Sequence, residues 1–453
     1  MKNYLNWILG SLLLVSSAFG AGKSPVVTIY NSNLGLIQEE RSLTLQKGRQ
    51  SVAVTDVASK IQPATVHVEG GENAGLQLLE QNFQYDLVNT AKVFDKFLGS
   101  QITLVTDSDE SQFGTLLARD GSSLILRNED GTLRIVDTGN VKEYIFPELP
   151  EGLIVRPTLQ WIIDAQRAGT YPVMLRYLTG GMSWNAEYIL QLGEQNGQGV
   201  LSSWVTLENS SGATFQDATV KLVAGNIHRA REQERGRIPQ QLSLQRAETA
   251  PVSERQLFEY HLYQIEFPTT LNQNAMKQVV LREPSDIRYQ REYTFEHRER
   301  ATAKQENVEV AIAFQNSKQN NLGVALPAGV VRMMQEDVDG NEVLVGEDKI
   351  DHTPADEEVR LTAGTAFDVV GDRTIQSYQR RANTSERWTV NITLRNHKKS
   401  RVAVDVLDHY YGDWEILDES MPSERPNAST VQFRVQVPAD SQATVQYTVE
   451  RHL

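Results

Sequence analysis

The chain of 453 residues contains no cysteine. The absence of thiols excludes disulfide bonds, zinc–thiolate sites, iron–sulfur clusters and thiol nucleophiles. Exported proteins commonly use disulfides for stability, so any exported form of this chain must be held together by its hydrophobic cores alone. The length is typical of about three domains. Hydrophobic residues make up 40% of the sequence, which is enough for several packed cores.

Long apolar runs and basic residues are also scarce. Beyond the N-terminus, no stretch approaches the roughly 18 uninterrupted apolar residues that indicate a membrane-spanning helix. The chain is therefore not predicted to be an integral membrane protein once a leader is removed. Lys and Arg number 44 against 58 Asp and Glu, giving a net charge of −14. Because binding to phosphates needs concentrated positive charge, we expect no nucleic-acid partner.

The N-terminus is typical of a secretory leader. Lys2 precedes an apolar run from Trp7 to Val15, and small residues follow, with Ala18 and Gly20 at the positions that cleavage requires. Residues 1–20 are therefore predicted to be a signal peptide, and the protein is predicted to be periplasmic or secreted. An uncleaved N-terminal anchor is the alternative.

Apolar and polar residues alternate along most of the chain, which predicts β-strands with one buried face. The alternation is clearest where Trp388, Val390, Ile392 and Leu394 share one side of a segment. Several such segments at regular spacing near the C-terminus favour an Ig-like sandwich. The predicted fold class is mainly β and multidomain, with few helices.

One short helix and a small barrel are predicted near the N-terminal third. Apolar residues recur at the spacing of one helix face, at Leu87, Ala91, Phe94 and Leu98, with Asp86 as N-cap. Residues 99–149 then contain short apolar runs separated by Asp-Gly pairs, which favour hairpin turns. A helix followed by about five short strands is typical of an SH3-like or Sm-like barrel. Its acidic surplus favours a structural role over RNA binding.

A charged stretch interrupts the β pattern at residues 229–256, with six arginines, four glutamates and few apolar residues. This composition predicts a mobile loop or hairpin extension, and a surface helix is the alternative. The complete division is a signal peptide at 1–20, an N-terminal β segment plus short helix at 21–98, a small β-barrel at 99–149, the first part of a β-sandwich at 150–228, the mobile charged loop at 229–256, the sandwich continuation at 257–375 and a C-terminal Ig-like β-sandwich at 376–453.

Several phrases of the sequence carry a family resemblance: YNSNLGL within residues 28–48, SGATFQDATVKLVAG within residues 204–225, and EYHLY within residues 258–265. With these phrases the chain resembles a bacterial exported family with a domain of unknown function, related to proteins called mucoidy-inhibitor-like. The resemblance implies a secreted or periplasmic, mostly β protein. It implies no substrate and no catalytic residue.

The EYHLY segment holds the candidate site residues. On a strand, Glu259, His261 and Tyr263 share one face. A histidine between an acid and a tyrosine is suited to acid–base chemistry or to holding a metal. The alternative is a polar sheet face on which the histidine is hydrogen-bonded across strands. Because a metal site needs more ligands nearby, we predict neither a metal nor a cofactor.

Three other motifs have structural explanations that compete with chemistry. Ser183 in GMSW lacks the glycine two residues later that a nucleophile elbow needs, so a tight turn is predicted. Residues 337–342, DVDGNE, resemble part of a Ca²⁺ loop but also suit a hairpin turn. An acidic cluster near the C-terminus is predicted to be a solvated strand end or a loop, at Asp405, Asp408, His409 and Asp413.

These features predict a non-enzymatic exported envelope protein that presents β-sandwich surfaces to a protein or glycan partner, with 229–256 as a contact segment. A hydrolase acting on an envelope polymer, with its site around His261, is the alternative. A metal-dependent adhesin using Asp337, Asp339 and Glu342 is a third possibility. Whether the chain is an enzyme stays open at this point. The tryptophans Trp161, Trp184 and Trp204 are predicted to be core anchors rather than a sugar-stacking face.

Overall fold

The computed structural model describes residues 23–70, 75–84, 88–148, 150, 153–193, 197–225, 252–257, 260–381 and 384–452. The predicted signal peptide lies outside the described residues. So does the predicted loop, except residues 252–256, which belong to a strand. Strands make up 68% of the structure and helices 4%, which confirms the mainly β, multidomain fold with few helices. No described helix is both long enough and apolar enough to cross a membrane.

The chain forms two compact units. The first comprises Met1–Ser183, Glu208–Lys221 and Pro268–Ala275, and the second comprises Trp184–Leu207, Leu222–Phe267 and Met276–Leu453. Each unit is thus assembled from separate stretches of the chain.

The elements up to residue 183 are β1 (Val26–Tyr30), β2 (Leu34–Leu45), β3 (Gly48–Val54), β4 (His67–Glu69), β5 (Leu76–Gln84), α1 (Thr90–Lys96), β6 (Gln101–Thr106), β7 (Ser111–Asp120), β8 (Ser123–Arg127), β9 (Leu133–Asp137), β10 (Val141–Ile145), β11 (Thr158–Ala165) and β12 (Gly169–Thr179). The strands that follow are β13 (Met182–Leu192), β14 (Gln198–Asn209), β15 (Phe215–Ala224), β16 (Val252–Leu257), β17 (Tyr260–Ile265), β18 (Thr269–Leu271), β19 (Ala275–Arg288), β20 (Gln290–Arg298), β21 (Ala303–Gln315), β22 (Gly329–Glu336), β23 (Glu342–Ile350), β24 (Glu358–Arg381), β25 (Ser385–Asn396), β26 (Val402–His409), β27 (Asp413–Glu419), β28 (Glu424–Asn427), β29 (Thr430–Val437) and β30 (Ser441–His452).

The first unit contains three sheets. One has the order β15-β1-β2-β12-β4, with β18 paired to β15. A second has the order β3-β11-β5. On β2 the odd-numbered positions face inward, and Ile37, Leu43 and Leu45 are buried there. The alternation predicted from the sequence is therefore the one that builds this core.

The third sheet of this unit is the predicted small module. Its five antiparallel strands have the order β10-β6-β7-β8-β9, and α1 covers its core through Phe94 and Phe97. The predicted helix followed by about five short strands is confirmed, and the strands form a half-barrel where an SH3-like or Sm-like barrel was predicted. The helix begins later than predicted, because the Asn89 side chain accepts the Lys92 backbone N–H at 3.0 Å and caps it. Asp86, the predicted cap, lies outside the described residues.

The second unit contains a five-stranded sheet in the order β19-β14-β13-β22-β23. Strands β13 and β22 are parallel, with Ala186 opposite Gly329, and β22 and β23 form an antiparallel hairpin. Buried aromatic residues anchor this sheet by hydrogen bonds. The Tyr188 hydroxyl donates to the Pro327 carbonyl at 2.8 Å, and the Trp184 indole N–H donates to the Val223 carbonyl at 3.2 Å.

The second unit also contains a nine-stranded sheet, in the order β27-β30-β25-β24-β21-β20-β26-β29-β28, and an antiparallel pair formed by β16 and β17. The predicted inward faces are confirmed, since Trp388, Val390, Ile392 and Leu394 are all fully buried. The alternating residues of β26, β29 and β30 lie in the same core. The predicted C-terminal sandwich thus takes its core from the alternation of these strands.

One charged pair is buried inside this core. Arg373 Nε donates to Asp408 Oδ1 at 2.9 Å, and the two side chains are 0% and 1% exposed. The Tyr447 hydroxyl donates to Asp408, and Tyr410 and Tyr447 share a hydrogen bond. The prediction that Asp408 lies at a solvated strand end is therefore wrong. Asp408 continues the inward face of Val404 and Val406, so the strand places its carboxylate in the core.

Candidate protein-binding site

The predicted site residues on β17 are only partly described. Glu259 lies outside the described residues. Tyr263 is buried, its hydroxyl donates to the Ala325 carbonyl at 3.0 Å, and its ring packs edge-on against Trp184. These contacts give Tyr263 a clear structural role. The catalytic hypothesis for Glu259, His261 and Tyr263 stays a prediction.

His261 has a histidine neighbour that the sequence did not suggest. His352 Nδ1 accepts the Ala328 backbone N–H at 3.0 Å. Burial lowers the pKa of His352, the charge of Asp351 raises it, and the charge of His261 lowers it further. Among the described residues, no group of three or more acidic or histidine side chains is placed to hold a metal ion.

The other motifs form the predicted turns. Gly181 has a φ of +80° between the end of β12 and the start of β13, so it provides the tight turn of GMSW. Residues 337–341 connect β22 to β23 as a hairpin turn. Trp161 and Trp184 are fully buried, as predicted, which removes them from any sugar-stacking face.

The hairpin of β22 and β23 carries the most unusual surface of the second unit. We call residues 334–345 the hairpin arm. Its sequence is MQEDVDGNEVLV, and it includes the turn and the strand ends next to it. Four aliphatic side chains of the arm are exposed: Val338 at the tip completely, and Val343, Leu344 and Val345 at 46%, 54% and 39%. Consecutive exposed aliphatic residues on a strand are characteristic of an interaction surface.

The arm is also an open sheet edge. Strand β23 ends its sheet, and no other described strand pairs with its outer side. The pairing slips between Met333 and Met334, where the register passes from Gly346 to Leu344 and leaves Val345 as an extra, bulged residue. An end strand that exposes aliphatic residues is a template for an added strand.

The charge of the arm has a single sign. Glu336, Asp337, Asp339 and Glu342 supply four carboxylates, and the segment has no lysine or arginine. Asp337 Oδ1 accepts the backbone N–H groups of Asp339 and Asn341, each at 2.9 Å. These backbone N–H groups, that of Asn341 first, lower the pKa of Asp337. The turn is therefore rigidly built and negatively charged.

A comparison of the chain with models of protein families, and with curated proteins, found no match. The arm was also not evident from the sequence. Its VLV run, at Val343–Val345, has the pattern of a buried strand, since a short apolar run predicts burial. The signal in the sequence was the acidic stretch DVDGNE directly before this run, in a segment that has no lysine or arginine.

Proposed function

We propose that this protein is a non-enzymatic, exported binding protein of the cell envelope, and that the hairpin arm is its docking element for another protein. The observation that carries the proposal is the exposure of Val338, Val343, Leu344 and Val345 on an open sheet edge. Their exposure is unfavourable in water. A partner that covered them would regain about 1.5–3 kcal/mol at the fully exposed Val338 and about half of that at each of the other three side chains.

The acids of the arm determine the chemistry of the partner. Four carboxylates around the aliphatic residues repel anionic lipid surfaces and nucleic acids, and they attract a basic protein surface. The position of β23 as the last strand of its sheet favours an extended segment that pairs as an added strand. We therefore expect a partner strand with alternating apolar side chains and flanking Lys or Arg.

A glycan partner has less support. Sugar binding usually needs exposed aromatic faces, and two of the three candidate tryptophans, Trp161 and Trp184, are fully buried. Trp204 is partly exposed, but it stands alone among these three.

A capture experiment from the native cell envelope tests the proposal. The bait proteins are the unaltered chain, the double variant Val343→Ser/Leu344→Ser, and Ile135→Ser as a control at an exposed aliphatic residue of another sheet. Removing two half-exposed side chains costs about 2 kcal/mol of binding, or roughly 30-fold in affinity. The proposal predicts a partner that binds the unaltered chain and the Ile135→Ser control directly and with equal affinity. The same partner should bind the Val343→Ser/Leu344→Ser variant more weakly. Equal binding by all three baits would refute it.

A further inference from the structure

A second candidate site lies in the first unit, and it is independent of the proposed function. On the inward face of β2, charged Glu39 and Arg41 stand between buried Ile37 and Leu43. Charged residues at consecutive inward positions break the pattern that builds the core. Departures from the pattern of apolar inward residues concentrate at functional sites, where a charged side chain is kept for its function although its burial is unfavourable.

The two charged residues form the floor of a cleft of about 670 Å³. Arg41 donates to Glu39 at 2.9 Å, and their side chains are only 8% and 13% exposed. Burial raises the pKa of Glu39, Arg41 lowers it, and the charge of Asp56 raises it further. A volume of this size is typical of small-ligand pockets, in which a few polar groups fix the orientation of the ligand.

Two aspartates of the cleft wall have an unusual backbone. Asp56 and Asp217 have φ values of +63° and +47°, the left-handed region that few side chains adopt. Asp217 lies at a bulge between β15 and β18, where the pairing slips between Phe215 and Ala218. Bulges often re-aim a side chain beside a functional site. Asp56 is held by Arg156, whose Nη1 is 2.7 Å from Asp56 Oδ1.

The charges that line the cleft balance in pairs. Glu39 pairs with Arg41, and Asp56 pairs with Arg156. Lys23 and Asp217 also line the cleft, and neither forms an ion pair with another described residue. Glu40 lines it too, and it forms no ion pair with another described residue. The cleft therefore offers one cation and two carboxylates for a ligand.

We infer that this cleft binds a small zwitterion, a ligand with a protonated amine and a carboxylate, such as an amino acid or the end of a peptide. Asp217 receives the ammonium group, and Lys23 receives the carboxylate. The Glu39–Arg41 pair at the floor supplies a carboxylate and a guanidinium for further hydrogen bonds with a polar ligand.

Titration calorimetry with defined probes tests this site. The probes are L-alanine, L-alanyl-L-alanine, ethylamine and acetate, added to the full chain. A zwitterion site predicts that L-alanine or the dipeptide binds at least about tenfold more tightly than either single-charge probe, since each charge contact adds separately. The stronger of the two zwitterions identifies a free amino acid or a peptide end as the source. Equal affinity for all four probes, or no binding, would overturn the inference.

Variants separate the site from general charge effects. Asp217→Asn removes the carboxylate while keeping a residue that accepts a left-handed backbone. We expect Asp217→Asn to weaken zwitterion binding by about tenfold or more, and we expect the same loss from Lys23→Gln. Asp356→Asn is the matched control, because Asp356 is also left-handed, at φ +65°, and does not line the cleft. Equal affinities for Asp217→Asn and Asp356→Asn would contradict the assignment.

Discussion

The buried pair of Arg373 and Asp408 makes a strong prediction about stability. Asp408→Asn keeps the size of the side chain but removes its charge, so the Arg373 guanidinium stays in the core without a countercharge. Arg373 also donates to the carbonyls of Ala301 and Glu299, which hold it in place after the change. Losing one partner of a buried pair costs about 3–5 kcal/mol. Since Asn retains an acceptor oxygen, we expect the lower end, about 3 kcal/mol.

Urea unfolding followed by tryptophan fluorescence measures this loss, because Trp388 and Trp414 lie in the same core. Asp405→Asn is the control on the same strand, where Asp405 is only half-buried and accepts from Gln432 at 3.2 Å. Its cost is expected to be about 0.5 kcal/mol or less. The double change Arg373→Met/Asp408→Leu should recover much of the loss, because it removes both charges. Equal urea midpoints for the variants at 408 and 405 would refute the reasoning.

Two further predictions concern a carboxyl group and a turn. The hydrogen bond from Arg395 and the backbone N–H of Gln305 lower the pKa of Asp372 to about 2. The stabilising contribution of the Asp372 carboxylate is therefore present above the unfolded pKa of about 4 and is lost as the pH falls towards 2. Asp372→Asn should therefore make the urea midpoint depend less on pH between pH 4 and 2. An unchanged pH dependence of the midpoint would count against the assignment. At Gly181, an added Cβ would lie 2.6 Å from the Ser210 carbonyl oxygen. Gly181→Ala should therefore lower the urea midpoint more than Gly99→Ala, which has a similar φ of +82° and open space, and equal losses would show that backbone strain alone matters.

The sequence predicted most of the fold because alternation reports burial directly. Trp388 to Leu394 show the relation, since each predicted inward residue is buried. The same alternation also identifies charged residues that are buried. Asp408 shares the inward face of Val404 and Val406, and Glu39 shares that of Ile37, so a charge at an inward position indicates a buried pair. The partner of Asp408 could not be predicted, because Arg373 lies on a different strand and strand order is not visible in one sequence.

The hairpin arm was beyond prediction for a related reason. Whether the VLV run is buried depends on which elements pack against β23, and this is a property of the assembled fold. The end of the acidic turn, at Asp339 and Gly340, was predictable from its local turn chemistry. Local patterns therefore predicted the elements, while exposure of the arm required the packed structure.

Site-specific photo-crosslinking in intact cells tests the central proposal most directly. A photoreactive residue is placed at Leu344 on the arm, and in a separate variant at Ile135 on the five-stranded module; both side chains are well exposed. The proposal predicts a discrete crosslinked protein from position 344 that is absent from position 135 and decreases at high salt, because the acidic arm attracts a basic partner. No crosslink at 344, or the same product at both positions, would contradict it.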